Sequence, residues 1–104
     1  MKWLRDYQGV DHRLTDERLA HILEHPEMAG LEGAIEQTLA NPEYVVQSLS
    51  DDQARLYYRF YSATLGGEKF LCVVVKTGGN GPFVLTAYLT DKVKKGDLLW
   101  RAKS

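Results

Sequence analysis

The hydrophobic pattern changes its period once along this chain. Between residues 15 and 40 the apolar side chains recur at helical spacing, in two stripes: Leu19, Ile22 and Leu23, then Leu31, Ala34, Ile35, Thr38 and Leu39. Thr15 can cap the first of these helices, and Pro26 limits it. From Tyr44 onward apolar and polar residues alternate, which is the period of a β-strand. The pattern therefore predicts helices first and strands after them.

Four strands are predicted by this alternation, over residues 44–49, 55–61, 69–76 and 83–90. The connections between them are short and rich in Gly, Ser and Asp, which favours antiparallel neighbours. Residues 1–14 lack a clear period and are interpreted as a lead-in strand or turn. We therefore expect one α+β domain over residues 1–104, with N-terminal helices (15–40) packed on one face of a roughly four-stranded antiparallel sheet (44–100).

Alternation also separates the two faces of each predicted strand. Leu56 and Phe60 share one face of the second strand, and Leu85 lies on the apolar face of the fourth. We expect these apolar faces to receive the helices. The opposite face would carry polar and aromatic side chains from both strands: Arg55, Tyr57, Arg59, Tyr61, Thr86 and Tyr88.

Composition sets the class of protein and its compartment. The chain has 104 residues, 44% of them hydrophobic, which is enough for a single core. Its first residues carry charges where a signal peptide needs an apolar run, and no stretch is long and apolar enough to span a bilayer. Cys72 is the only cysteine, and its apolar neighbours indicate a buried, inert thiol. These features predict a cytoplasmic protein with no membrane partner.

The formal net charge of −1 hides an asymmetry between the two halves of the chain. Residues 1–53 hold four Lys/Arg against eleven Asp/Glu, whereas residues 54–104 hold nine against three. A cationic half is what a polyanion-binding face requires. The alternative interpretation is an ordinary solvated surface.

Three side chains of the first helix, Arg18, His21 and His25, fall within one sector of its surface. Histidines can exchange protons near neutral pH, although a solvated polar face is the alternative interpretation. Residues 21–25 also match H-x-x-E-H, the inverted zinc-protease signature. No third ligand is evident and Pro26 ends the helix at once, so we expect no metal site and no cofactor.

Three blocks of this sequence resemble a known family. Residues 14–28, residues 35–43, and residues 73–76 leading to 85–88 look like the phage-associated branch of the barnase–EndoU–colicin–RelE nuclease superfamily. The likeness extends over roughly residues 14–100. It implies N-terminal helices on a four-stranded antiparallel sheet and metal-independent cleavage of RNA. If the chain acts as a toxin, a cognate inhibitor protein would be a further partner.

The resemblance also implies site residues. It implies a catalytic set of His21, Arg59, Thr86 and Tyr88, with Lys76 and Arg55 as substrate-binding residues. Two further substrate-binding candidates come from the residues themselves: Tyr57, which could stack a base, and His25, which shares the helix sector of His21. Arg55 and Arg59 remain alternatives for the arginine that holds phosphate. In such cleavage the 2′-hydroxyl attacks phosphorus, so the site needs a proton acceptor, a proton donor and a cation. The expected function is a metal-independent endoribonuclease, and the alternative is a catalytically silent module that binds RNA or protein on the same fold.

Overall fold

The computed structural model describes residues 1–103. Within them it contains seven β-strands, two α-helices and one short 3₁₀ helix, Pro26–Met28. In chain order the elements are β1 (Lys2–Arg5), β2 (Asp11–Leu14), α1 (Asp16–Leu23), α2 (Glu32–Ala40), β3 (Tyr44–Gln47), β4 (Ala54–Thr64), β5 (Gly67–Gly78), β6 (Gly81–Thr90) and β7 (Asp97–Arg101).

All seven strands form one sheet, in the order β1-β2-β6-β5-β4-β3-β7. Neighbouring strands are antiparallel except β2 and β6, which are parallel. The prediction of N-terminal helices packed on a roughly four-stranded antiparallel sheet is therefore wrong. The protein is mostly sheet, the sheet is mixed, and its two helices are short. The four predicted strands do form, as β3 to β6, and they pair in antiparallel fashion.

The three additional strands come from segments with little periodic signal. Residues 1–14 fold into a hairpin of two four-residue strands, which turns at Gly9 with a φ of 82°. The hairpin joins the sheet through one register pair, Arg13 with Phe83. The period of residues 1–14 is too weak to show that they form two paired strands.

One face of the sheet packs against both helices. Ile22 of α1 and Ile35 and Leu39 of α2 belong to the same buried cluster as Tyr57 and Leu71 of the sheet. The expectation that the Leu56 and Phe60 side of β4 receives the helices is therefore wrong, because the Tyr57 side does so. We call this the helix face.

The opposite face, here called the second face, is buried as well. Its cluster includes Leu56, Tyr58 and Cys72. To pass from β6 to β7 the chain must cross β5, β4 and β3, and residues 91–96 make this crossing. We call residues 91–96 the strap. Val93 packs on the cluster, and the backbone N–H of Lys94 donates to the Tyr58 hydroxyl at 3.0 Å.

No helix within residues 1–103 is both long enough and apolar enough to cross a membrane.

Candidate functional site

The sheet divides the residues predicted from sequence between its two faces. Arg59 is the cross-strand partner of Leu71, which lies in the core beneath the helices. Tyr88 is the partner of Cys72, which lies in the cluster under the strap. Side chains directly opposite each other on neighbouring strands share a face. By the same registers, Arg55, Tyr57 and Arg59 lie on the helix face. Lys76, Thr86 and Tyr88 lie on the second face.

Tyr57 is a core residue and is not free to stack on a base. Its exposed fraction is 1%, and its hydroxyl donates to Asp6 Oδ2 at 2.9 Å. His12 Nε2 lies 2.8 Å from the same oxygen. Burial raises the pKa of Tyr57 above its usual range, and the Asp6 charge adds to this. The neutral phenol therefore acts as a buried hydrogen-bond donor.

The two β4 arginines lie on the helix face, two strands away from β6, the strand that α1 contacts. Arg59 donates through Nη1 to the carbonyl oxygen of Asn41 at 2.8 Å. Arg55 is exposed, and its charge opposes the rise in the pKa of Tyr7 that burial and Asp6 cause. Neither arginine pairs with a carboxylate within residues 1–103.

On the second face, Lys76 forms an ion pair with Asp51 at 2.9 Å. Tyr88 is partly exposed beside the buried thiol of Cys72, and burial raises its pKa above the usual range of a phenol. Thr86 is half-buried opposite Val74. These three side chains therefore do not share a surface with the β4 arginines.

His21 and His25 lie at the end of α1 and just after it. The side chain of His21 is 77% exposed, and its Nδ1 lies 3.4 Å from the carboxylate of Glu24. The two imidazole rings meet edge to face, with centroids 6.4 Å apart. In the part of the chain that the structure describes, no group of three or more His, Cys, Asp or Glu side chains is placed to hold a metal ion.

An open groove of about 560 Å³ runs between α1 and β6 and is lined by His21. Glu17 and Arg18 join it from the same helix, Arg13 comes from the end of β2, and Phe83 from β6. Thr15 and Leu85 complete the lining. The groove is therefore built from β2 and α1, which follow one another in the chain, and from β6, which is distant from both in sequence. It brings two arginines, one carboxylate and one imidazole to a common surface.

The Phe83 ring and two backbone carbonyls contact the two arginines. The guanidinium carbon of Arg18 lies 5.3 Å from the centroid of the Phe83 ring, and that of Arg13 lies 5.9 Å from it. Arg18 Nη1 donates to the carbonyl oxygen of Leu85 at 3.0 Å. Arg13 Nη1 lies 3.5 Å from the carbonyl oxygen of Asn80. Each guanidinium keeps further N–H donors for an anion.

Local sequence explains how these side chains converge. Thr15 caps α1, since its Oγ1 accepts a hydrogen bond from the N–H of Arg18 at 3.2 Å. Glu17 and His21 are four residues apart, which places them one above the other on one face of the helix. The register of β6 against β5 shifts between Val74 and Val75, which leaves Leu85 without a direct partner on β5. At this irregularity the Leu85 carbonyl accepts the hydrogen bond from Arg18 Nη1.

Sequence reasoning identified His21 and noted Arg18 beside it, but it did not identify Arg13, Glu17 or Phe83. The spacing of Glu17 and His21 was an available signal, since residues four apart share a helix face. The contact between Arg13 and Phe83 could not be predicted from the sequence, because it depends on the parallel pairing of β2 with β6.

No family model, curated protein or solved structure matches this chain.

Proposed function

We propose that this protein is a metal-independent endoribonuclease whose active site is the groove between α1 and β6. The observation that supports the proposal is the convergence of His21, Glu17, Arg13 and Arg18 on this groove. A proton acceptor, a proton donor and fixed cations are the groups that cleavage by the 2′-hydroxyl requires. The site assigned from the resemblance is revised accordingly. His21 is retained, and the two groove arginines replace Arg59, Thr86 and Tyr88.

The reaction can be written with these side chains alone. The Glu17 carboxylate takes the proton of the ribose 2′-hydroxyl, whose oxygen then forms a bond to the adjacent phosphorus. The bond from phosphorus to the 5′-oxygen breaks, and protonated His21 supplies the proton that this oxygen needs. Arg13 and Arg18 stabilise the negative charge that grows on the phosphate oxygens. The products are a 2′,3′-cyclic phosphate and a 5′-hydroxyl.

The natural substrate would be RNA with an unpaired stretch, because a 2′-hydroxyl must align with the bond that breaks, which a regular duplex prevents. We place the activity in the cytoplasm, where the single thiol, Cys72, stays reduced.

The test is cleavage of end-labelled RNA in the presence of a chelator, followed by analysis of the product ends. We expect 2′,3′-cyclic phosphate ends from the wild-type protein. His21→Ala and Glu17→Gln should each lower the cleavage rate by roughly 10²–10⁴-fold, the range for loss of a general acid or base. Arg18→Ala should lower it as well, since it removes a donor to the charged phosphate.

Two matched substitutions serve as controls. Glu27→Gln changes an exposed glutamate of the 3₁₀ helix, and Arg5→Ala changes an exposed arginine of β1. Neither lines the groove, so both should cleave at the wild-type rate. A His21→Ala protein as active as wild type would remove the active site from this groove.

A catalytically silent RNA-binding module is the second candidate. It is favoured by the openness of the groove, since His21 and Glu17 are exposed and nothing among residues 1–103 excludes water from them. Under this alternative the protein retains RNA without cutting it. Arg18→Ala would then weaken retention, and His21→Ala would change little.

A further inference from the structure

Outside the α1–β6 groove, a pair of aromatic rings joins the β1–β2 connection to β7. Tyr7 lies in the connection between β1 and β2, and Trp100 lies on β7 at the opposite edge. Their ring centroids are 5.0 Å apart, with 33° between the ring planes. On β4, Arg59 lines a pocket with both rings, and the charge of Arg55 acts on Tyr7. We call these four residues the aromatic–arginine surface.

Both rings are held in fixed positions. Trp100 Nε1 donates to the carbonyl oxygen of Pro42 at 3.4 Å. Tyr7 packs edge-on against the buried Tyr57, with centroids 6.1 Å apart. Trp100 nevertheless remains 40% exposed. Because these aromatics are already ordered, a planar ligand that stacks on them would cost little side-chain entropy.

A shallow pocket of about 350 Å³ lies at the rings, and Tyr7, Arg59 and Trp100 line it. Arg59 uses one N–H for the carbonyl of Asn41 and has further donors available. Arg55 and Arg59 are four residues apart on a strand, so their Cα atoms are separated by roughly 13 Å. Arg59 lines the pocket, and Arg55 lies close enough for its charge to act on Tyr7. Neither arginine forms an ion pair with a carboxylate in the described chain.

We infer that the aromatic–arginine surface binds single-stranded nucleic acid, with a base stacked on Trp100 and Tyr7 and backbone phosphates on Arg55 and Arg59. Proteins bind single strands by stacking bases on aromatic rings and by holding the backbone phosphates with nearby cations. A duplex keeps its bases stacked on one another and offers none to the rings. The inference deepens the proposed function and rests on it, since it gives the RNA substrate a second contact outside the cleavage groove.

The experiment uses a fluorescently labelled single-stranded DNA of roughly 12 nucleotides, within the range that compact single-strand sites cover. DNA lacks the 2′-hydroxyl and stays intact, so binding is measured apart from cleavage. Trp100→Ala and Arg59→Ala should each weaken binding by roughly tenfold, from the loss of one stacked base or one phosphate contact. Trp100→Phe should retain most of the affinity, because a ring remains. The same DNA annealed to its complement should bind more weakly.

Two substitutions on the second face provide matched controls. Leu98→Ala removes an exposed apolar side chain of the same strand as Trp100, opposite Val46. Arg101→Ala removes an exposed arginine of that strand, opposite Tyr44. Both should bind the DNA like wild type. If Arg101→Ala weakens binding as much as Arg59→Ala does, the attraction is general charge and the inference is overturned.

Circular dichroism and thermal unfolding of each variant show whether it is folded. Folded Trp100→Ala and Arg59→Ala proteins that bind like wild type would overturn the inference, as would equal binding of single and double strands. The two proposals fail separately. Absence of RNA cleavage, with DNA binding that depends on Trp100 and Arg59, would remove the ribonuclease and leave this surface. If cleavage depends on His21 but DNA binding does not depend on Trp100, the ribonuclease proposal stands and the aromatic–arginine surface is overturned.

Discussion

Asp6 follows β1 directly, and its carboxylate is buried beneath Tyr57. Oδ1 accepts hydrogen bonds from the backbone N–H groups of Gln8 and Val10, at 2.9 and 3.0 Å. Oδ2 accepts a hydrogen bond from the Tyr57 hydroxyl and shares a second hydrogen bond with His12 Nε2. Burial raises the pKa of Asp6, but these four hydrogen bonds together outweigh it and lower the pKa below its ordinary value of 3.8.

Asp6→Asn should therefore destabilise the protein by roughly 1.5–3 kcal/mol at neutral pH, the range for a hydrogen-bonded charged group. A carboxylate whose pKa is lowered by folding stabilises fully above its unfolded value, and this stability is lost as the pH falls through the folded value. Wild type should thus lose stability below about pH 4, and the variant should lose less over that range. Urea unfolding across pH measures both.

Asp11→Asn is the control for this substitution. Asp11 is exposed in the same hairpin, and among residues 1–103 its one ion-pair partner is Arg5, so its removal should cost roughly 0–1 kcal/mol. Equal losses for the two variants at neutral pH would contradict the role of Asp6.

The buried pair of Asp6 and His12 was not predicted from the sequence. The two residues are six apart in a segment without periodicity, and only the hairpin register brings them together. A contact that forms only when two strands pair is not indicated by the local sequence around either residue.

At the scale of elements, the close contact between the strap and β3 requires a glycine at position 96. A Cβ atom at Gly96 would lie 2.4 Å from the carbonyl oxygen of Gln47 and 2.4 Å from Cγ1 of Val46. The strap backbone therefore rests directly on β3, and a side chain there would lift it. Gly96→Ala should destabilise the protein by roughly 2–4 kcal/mol in urea unfolding, through overpacking that backbone atoms cannot relieve.

Gly79→Ala is the matched comparison. Gly79 lies in the exposed turn between β5 and β6, and a Cβ there would meet nothing within 4 Å. Its effect should stay within about 0.5 kcal/mol. A Gly96→Ala protein as stable as the Gly79→Ala protein would show that the strap can lift away at no cost.

The strands that sequence predicted are those that follow the change to a period of two at Tyr44. β4, β5 and β6 have ten or more residues each and were located, as was β3. The assignment of faces failed because alternation assumes that one face is solvated. In β5 all residues from Leu71 to Val75 are buried, since the helices cover one face and the strap covers the other.

For the molecule as a whole, the position of each strand in the sheet decides what the surface can do. The predicted site combined residues that alternation alone seemed to place together, yet Arg59 and Tyr88 lie on opposite faces. The groove at His21 joins residues that are 67 positions apart, as the bond from Arg18 to Leu85 shows. Periodicity identifies neighbours within an element. It contains no information on which elements meet.

Burial of both faces gives the protein its own reporter of local opening. Cys72 is fully buried, and burial raises the pKa of its thiol to about 11, so the native thiol should barely react with alkylating reagents at neutral pH. Its slow labelling in native buffer then measures the free energy of opening. Gly96→Ala should label faster than Gly79→Ala, by about tenfold for each 1.4 kcal/mol of lost stability. Native Cys72 labelling as fast as the urea-unfolded chain would mean that the strap does not shield it.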